Sequence, residues 1–305
     1  MARRIALIGA PTSAGAYAPG QERAPAAFRA HGIVDAIRRA GWELRDTGDV
    51  ERFRWRPDPS RPTAMNLDAV VRIAAEVSAR VAAALGGGER ALVLGGDCTV
   101  ELGTVAGALE DGRTTGLVYV DLDTDLNPPA ASDGALDWTV VAHLLEVEGA
   151  ARELSSVGPR RPMLADQEIL YVAARPETPT ERATLLARSL PVIGLAEVHP
   201  DPALAGRRAA AWGARFDRLL VHVDVDVLSY TAFPIAENVR REDGLSLAEL
   251  GAILGPLVAA PNWAALTVAE VNPDHAPVEA ATFGAFIGML EQALGAGKVA
   301  TGRYV

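Results

Sequence analysis

The chain has 305 residues, 49% of them hydrophobic and 22% charged, with a formal net charge of −10. Such a composition is globular, and an acidic balance with no basic run longer than an Arg-Arg pair repels polyanions, which argues against nucleic acid as a partner. A single cysteine, Cys98, excludes an internal disulfide, and no stretch of about 18 apolar residues is present, so the expected setting is a reducing cytoplasm without a membrane span.

The basic pair Arg3-Arg4 precedes an apolar run that ends before Pro11, too short for a secretory leader, and it reads as the first strand, 4–9. Further strands are expected at 42–48, 91–96, 116–121, 168–173, 191–195, 219–226 and 265–271. Between and around them lie helical patterns at 22–40, 66–85, 99–110, 138–148, 180–188, 201–214, 246–258 and 278–294. Several strands are apolar throughout, as strands covered on both faces are. Alternation of strand and helix predicts an α/β fold, a mostly parallel central sheet between helical layers, in one domain spanning 1–305. The proline-rich 54–66 reads as a surface loop within it.

In an open parallel sheet, ligands bind beyond the carboxyl ends of the strands. Three such ends are acidic: GGDCT follows 91–94, DLDTD follows 118–120, and VDVD ends the strand at 219–226. In extended chain, alternate residues face one way, so Asp121, Asp123 and Asp125 should converge, as should Asp224 and Asp226. Five carboxylates in one crevice repel one another unless a cation neutralises them, and carboxylate oxygens suit Mn²⁺, Mg²⁺ or Ca²⁺. A lone Asp at a strand end is more often a turn residue or a helix cap; two such clusters after two apolar strands point to metal. Cys98, directly after Gly-Gly-Asp, reads either as a buried apolar residue or as a ligand. His222 shares strand parity with Asp224 and reads as a supporting group or general base, while His275 reads as a residue of the site's mouth.

GGDCT, VDLDTDLNPP, HVDVDVL and AEVNP, in this order and spacing and preceded by GAPTSAG, resemble the motifs of the arginase or ureohydrolase family over almost the whole chain. The resemblance implies a three-layer α/β/α fold, trimers or hexamers, and two Mn²⁺ ions that activate water against a guanidinium or amidine carbon of a small-molecule substrate. It also exposes departures. The family's histidine after GGD is Cys98 here, and the histidine of its Asp-Ala-His-x-Asp motif is Asp123. The implied ligands are then Cys98, Asp121, Asp125 and Asp224 for one ion, and Asp121, Asp123, Asp224 and Asp226 for the other. Some hydroxyarginine hydrolases of the family also carry cysteine at the first position.

The resemblance assigns Asn127 to the substrate's carboxylate, Glu249 to its guanidinium, and Thr178 to a position where arginase has an aspartate. Asp137 falls where a proton-shuttling histidine stands, and Asp125 is the group expected to carry a proton to the leaving amine. Ser229 stands where the third motif continues with Asp-Pro. The expected activity is hydrolysis of a guanidino C–N bond with release of urea or an analogue, on arginine, hydroxyarginine or another modified guanidine. Loss of both imidazoles opens a second reading, a metal-poor member acting as a binding or regulatory subunit.

Overall fold

The computed structural model describes residues 3–175, 178–240 and 242–296. Eight strands, β1 (Arg4–Gly9), β2 (Glu43–Asp49), β3 (Arg90–Leu94), β4 (Thr115–Val120), β5 (Ile169–Val172), β6 (Val192–Ile193), β7 (Arg218–Asp224) and β8 (Trp263–Ala269), form one sheet in the order β2-β1-β3-β8-β7-β4-β5-β6. Every neighbouring pair is parallel. The helices are α1 (Ala24–Ala30), α2 (Ile33–Arg39), α3 (Leu67–Gly86), α4 (Val100–Leu109), α5 (Val140–Leu144), α6 (Arg152–Ser155), α7 (Pro179–Ala187), α8 (Leu195–Val198), α9 (Pro202–Gly213), α10 (Leu247–Ala259) and α11 (Glu279–Gly295).

The central strands β3, β4, β7 and β8 are buried on both sides because each feeds two cores, whereas the edge strand β2 is largely exposed. In β4, Val118 and Val120 share one core with Ala205 and Ala209 of α9, whereas Leu117 and Tyr119 share the other with Val105 of α4 and Tyr171. The helices supply apolar stripes to match: Val70, Ile73, Ala74, Val77, Val81 and Ala84 recur every three or four residues along α3, all buried. The result is the expected α/β/α layering. The helix expected at 22–40 is two, broken at Gly32, whose φ of 88° no helical residue adopts.

Strands β3, β8, β7 and β4 are consecutive in the sheet. Their carboxyl ends therefore open side by side: GGDC and DLDTD follow β3 and β4 directly, and AEVNP and DVD begin on the last residues of β8 and β7.

Candidate metal centre

Two glycines make the first wall. Gly95 and Gly96 both take left-handed φ, 82° and 87°, and a Cβ on Gly96 would lie 2.8 Å from the carbonyl of Ala10. Only glycine fits there, and the turn swings the chain back so that Asp97 and Cys98 sit over the strand ends. The Gly96 carbonyl accepts the N–H of Glu270 at 2.9 Å, and the Cys98 N–H donates to Glu270 Oε1 at 2.7 Å. Glu270 is itself left-handed, φ 62°, a conformation rare for a side chain of its size. The ends of β3 and β8 are thus pinned together, with Glu270 and Cys98 facing one cavity.

The aspartates converge by a different route from the one their spacing predicts. β4 ends at Val120, and β7 ends at Asp224 ahead of a 3-10 turn over Val225–Val227, so strand alternation does not continue through either cluster. Each leading aspartate instead folds the chain onto itself: Asp121 Oδ1 accepts the N–H of Asp123 at 2.8 Å, and Asp224 Oδ1 accepts that of Asp226 at 2.8 Å. Short side chains that bind the backbone two residues on make turns of this kind. Asp125 is left-handed, φ 49°, and its carboxylate accepts the Tyr119 hydroxyl while its carbonyl accepts the N–H of Ala142 at 2.9 Å.

Two donor groups result, each with ligand atoms within 4.8 Å of one another. Asp121, Asp224 and Asp226 form one, Cys98, Asp224 and Glu270 the other, and Asp224 belongs to both. Asp123 and Asp125 line the same cavity, of about 460 Å³, without joining either group. Of the residues the resemblance names as ligands, Cys98, Asp121, Asp224 and Asp226 fall in these groups, and Glu270 stands beside Cys98 and Asp224.

Charge decides what these groups can hold. Asp121, Asp125, Asp224 and Glu270 are pushed well above the usual carboxylate range, in each case by burial first and then by neighbouring carboxylates. Burial, then Asp224, pushes the Cys98 thiol up as well. Asp121 Oδ2 is buried and has no hydrogen-bond partner. A buried oxygen left without a donor costs on the order of 1–3 kcal/mol, and a cation among carboxylates removes both that cost and the repulsion. The oxygen-rich set fits a hard divalent ion, so the residues present suit the metal that the sequence implies.

The remaining predicted residues divide. Asp137 and Thr178 line the cavity; Thr178 caps α7, accepting the N–H of Glu181, and its hydroxyl lies 3.4 Å from Asn127 Oδ1. Asn127 is buried and does not line the cavity; its Oδ1 accepts the Thr178 hydroxyl. Glu249 is misplaced by the sequence reading. It sits in the first turn of α10, where its carboxylate accepts the N–H and hydroxyl of Ser246 and pairs with His199 at 2.8 Å, and it does not line the cavity. The Ser-x-x-Glu spacing is a helix-capping signature, which is what this glutamate serves. His275 is also turned away, its Nδ1 on the carbonyl of Ala236 at 2.7 Å. The sequence reading missed Glu270, Glu181, Asn238 and Arg240 on the cavity wall, and Tyr17 and Trp138, both partly exposed, at its rim. Asn238 donates to Asp226 Oδ2 at 3.1 Å.

A model of the Arginase family matches residues 3–295. Arginase, non-hepatic 3 of Xenopus laevis is 27% identical over 282 residues, 88% of this chain and 76% of that one. Among solved structures, arginase from Bacillus cereus superposes with a TM-score of 0.86 at 21% identity, covering 96% of this chain and 98% of that one. Formimidoylglutamase from Bacillus subtilis subsp. subtilis superposes with a TM-score of 0.74 at 18% identity, covering 97% and 88%.

Proposed function

The chain belongs to the arginase family, and from that premise we propose that it is a metal-dependent hydrolase of a guanidino C–N bond, releasing urea or a close analogue. The observation that carries this reading is the buried meeting of Asp121, Asp224 and Asp226, with one Asp121 oxygen left for a cation. Two divalent ions, Mn²⁺ by resemblance, would supply the nucleophile by lowering the pKa of water. Cys98, Asp121, Asp224 and Asp226 would hold them, with Asp123 and Asp125 turning in as further ligands.

The chain's own groups handle the substrate. Glu270 replaces Glu249 as the acceptor for the cationic guanidinium, because its buried carboxylate lies on the cavity wall and within 4.8 Å of Cys98 and Asp224. A carboxylate of this kind holds a planar cation by charge-assisted hydrogen bonds. Asp125 and Asp137, on the same wall, carry the proton to the departing amine. Thr178, backed by Asn127, reads the far end of the substrate. The roles of a hydroxyarginine or other modified guanidine remain within this class, since the cavity exceeds the reacting group alone. The protein acts as one domain, in the cytoplasm, as a homo-oligomer of three or six copies. No helix among the described residues is long and apolar enough to cross a membrane.

Urea release from arginine, hydroxyarginine, agmatine and guanidino acids tests the reading, with Asp121→Asn and Asp224→Asn beside wild type. Asp224→Asn removes the residue common to both donor groups and Asp121→Asn the one whose buried oxygen has no partner, so each should abolish turnover; near wild-type rates in either would falsify the scheme.

A further inference from the structure

Cys98 is not held by the cavity alone. Its Sγ lies 3.2 Å from Asp224 Oδ2 on one side and 3.3 Å from His222 Nε2 on the other. His222 is fully buried, lies outside the cavity lining, and reaches the sulfur from behind. Its ring is fixed twice. It stacks on Tyr119, its register partner on β4, with centroids 4.3 Å apart and planes at 10°. Its Nδ1 lies 3.2 Å from Glu101 Oε2, a carboxylate in the first turn of α4 that is itself fully buried.

An imidazole and a carboxylate placed inside an apolar layer are costly unless their pairing serves the fold or the site. Here the ring's polar contacts run from Glu101 through His222 to the sulfur. With Nδ1 held against Glu101 and Nε2 against Sγ, both ring nitrogens are engaged, and the sulfur's rotamer is set by a ring that cannot turn. Groups that brace a metal donor from behind in this way orient it and tune what it binds.

Asp224 divides the centre into unlike halves. One donor group contains only carboxylates, the other contains Cys98. Hard Mn²⁺ or Mg²⁺ suits the first, whereas sulfur prefers Zn²⁺, Co²⁺ or Fe²⁺. We propose that the two metal positions are chemically different, that the Cys98 position takes a softer divalent ion than the all-carboxylate one, and that His222 and Glu101 are the positioning residues that aim the sulfur at it. The proposal rests on the hydrolase reading above insofar as that reading puts metal in this cavity.

The test is cobalt titration of the chelator-stripped full-length protein, followed by absorption and by metal content, with Mn²⁺ added afterwards. The expected result is a near-ultraviolet sulfur-to-cobalt charge-transfer band that saturates at one equivalent per chain, with a second equivalent of Mn²⁺ then taken up and seen by electron paramagnetic resonance. Cys98→Ser should abolish the band. Asp226→Asn should spare it and lose the Mn²⁺ signal. His222→Phe keeps the aromatic stack and should weaken cobalt affinity about 10–100-fold while fading the band; Glu101→Gln gives the same direction if His222→Phe does not fold, with circular dichroism as the check. Two cobalt ions bound without a sulfur band would overturn the proposal and leave the hydrolase reading intact, as would an unchanged band in both His222→Phe and Glu101→Gln for the positioning role. No metal bound at all would remove the hydrolase reading, and the proposal with it.

Discussion

Glu270 and Glu249 show what a single residue's setting does to its meaning. Glu249 stands three residues after Ser246, and the hydrogen bonds of that spacing consume its carboxylate at the start of α10. Glu270 sits inside AEVNP, but its aim depends on a left-handed φ of 62° and on the N–H of Cys98, neither of which a sequence displays. The two glutamates should separate cleanly on substitution. Glu270→Gln is expected to lower kcat/KM for guanidino substrates by about 100-fold or more, since it removes a buried charge facing the substrate's cation. Glu249→Gln should leave kcat/KM unchanged and cost about 1 kcal/mol or less in denaturant unfolding, because it weakens only a capping box and a half-exposed ion pair. A large kinetic loss in Glu249→Gln would contradict the placement of the guanidinium. Asp121, Asp224 and Asp226 were legible because acidic clusters after two fully apolar strands have few structural uses. Asp123 and Asp125 were legible as members of the cavity but not of the tight donor groups, since their direction is set after the strand ends.

At the level of elements, all eight strands and a mostly parallel sheet were legible from apolar runs and from the alternation of strand and helix, whereas the order β2-β1-β3-β8-β7-β4-β5-β6 was not. The helices at 152–155 and 195–198 did not show, because four residues carry no periodicity. Strand ends were the less legible part. Strand pleating predicted convergence of Asp121, Asp123 and Asp125, and the same convergence of Asp224 with Asp226 arises instead from aspartate side chains that capture the backbone two residues on. The Gly95-Gly96 turn is the element on which the site's geometry depends most. Gly96→Ala would combine a disallowed φ with a Cβ pressed against backbone at 2.8 Å. The expected outcome is a loss of stability of at least about 1–3 kcal/mol, together with weaker metal uptake, since the turn carries Cys98 and receives Glu270. Gly32→Ala serves as the control: its φ is also left-handed, but no atom lies within 4 Å of the added carbon, so its stability loss should come without any change in metal uptake.

For the whole molecule, the buried acids tie folding to pH and to cations. Asp121, Asp125, Asp224 and Glu270 titrate well above the usual carboxylate range because burial, then mutual repulsion, disfavours their charge. A raised carboxylate in the folded state contributes stability below its unfolded value that is lost as pH rises through the raised one. His143 works in the opposite sense: burial holds it near 4 against an ordinary 6.5, so it costs stability as pH falls between those values and is silent above them. Melting temperature of the chelator-stripped protein should therefore fall as pH rises through the raised carboxylates, unopposed by His143 above about 6.5, and saturating Mn²⁺ should cancel the fall. Calorimetry in buffers of differing ionisation heat should show protons released on metal binding. Flat melting curves in both states would contradict the assigned electrostatics.

With Cys98 and Asp123 standing where the resemblance expects imidazoles, the proposed two-metal centre depends on whether the remaining carboxylates still hold both ions. Metal content per chain decides it most directly, by plasma emission spectrometry after purification without chelator and incubation with Mn²⁺. Close to two equivalents in wild type, falling sharply in Asp224→Asn because that residue is shared by both donor groups, is the predicted result. Close to zero in wild type would rule out a two-metal centre in this cavity.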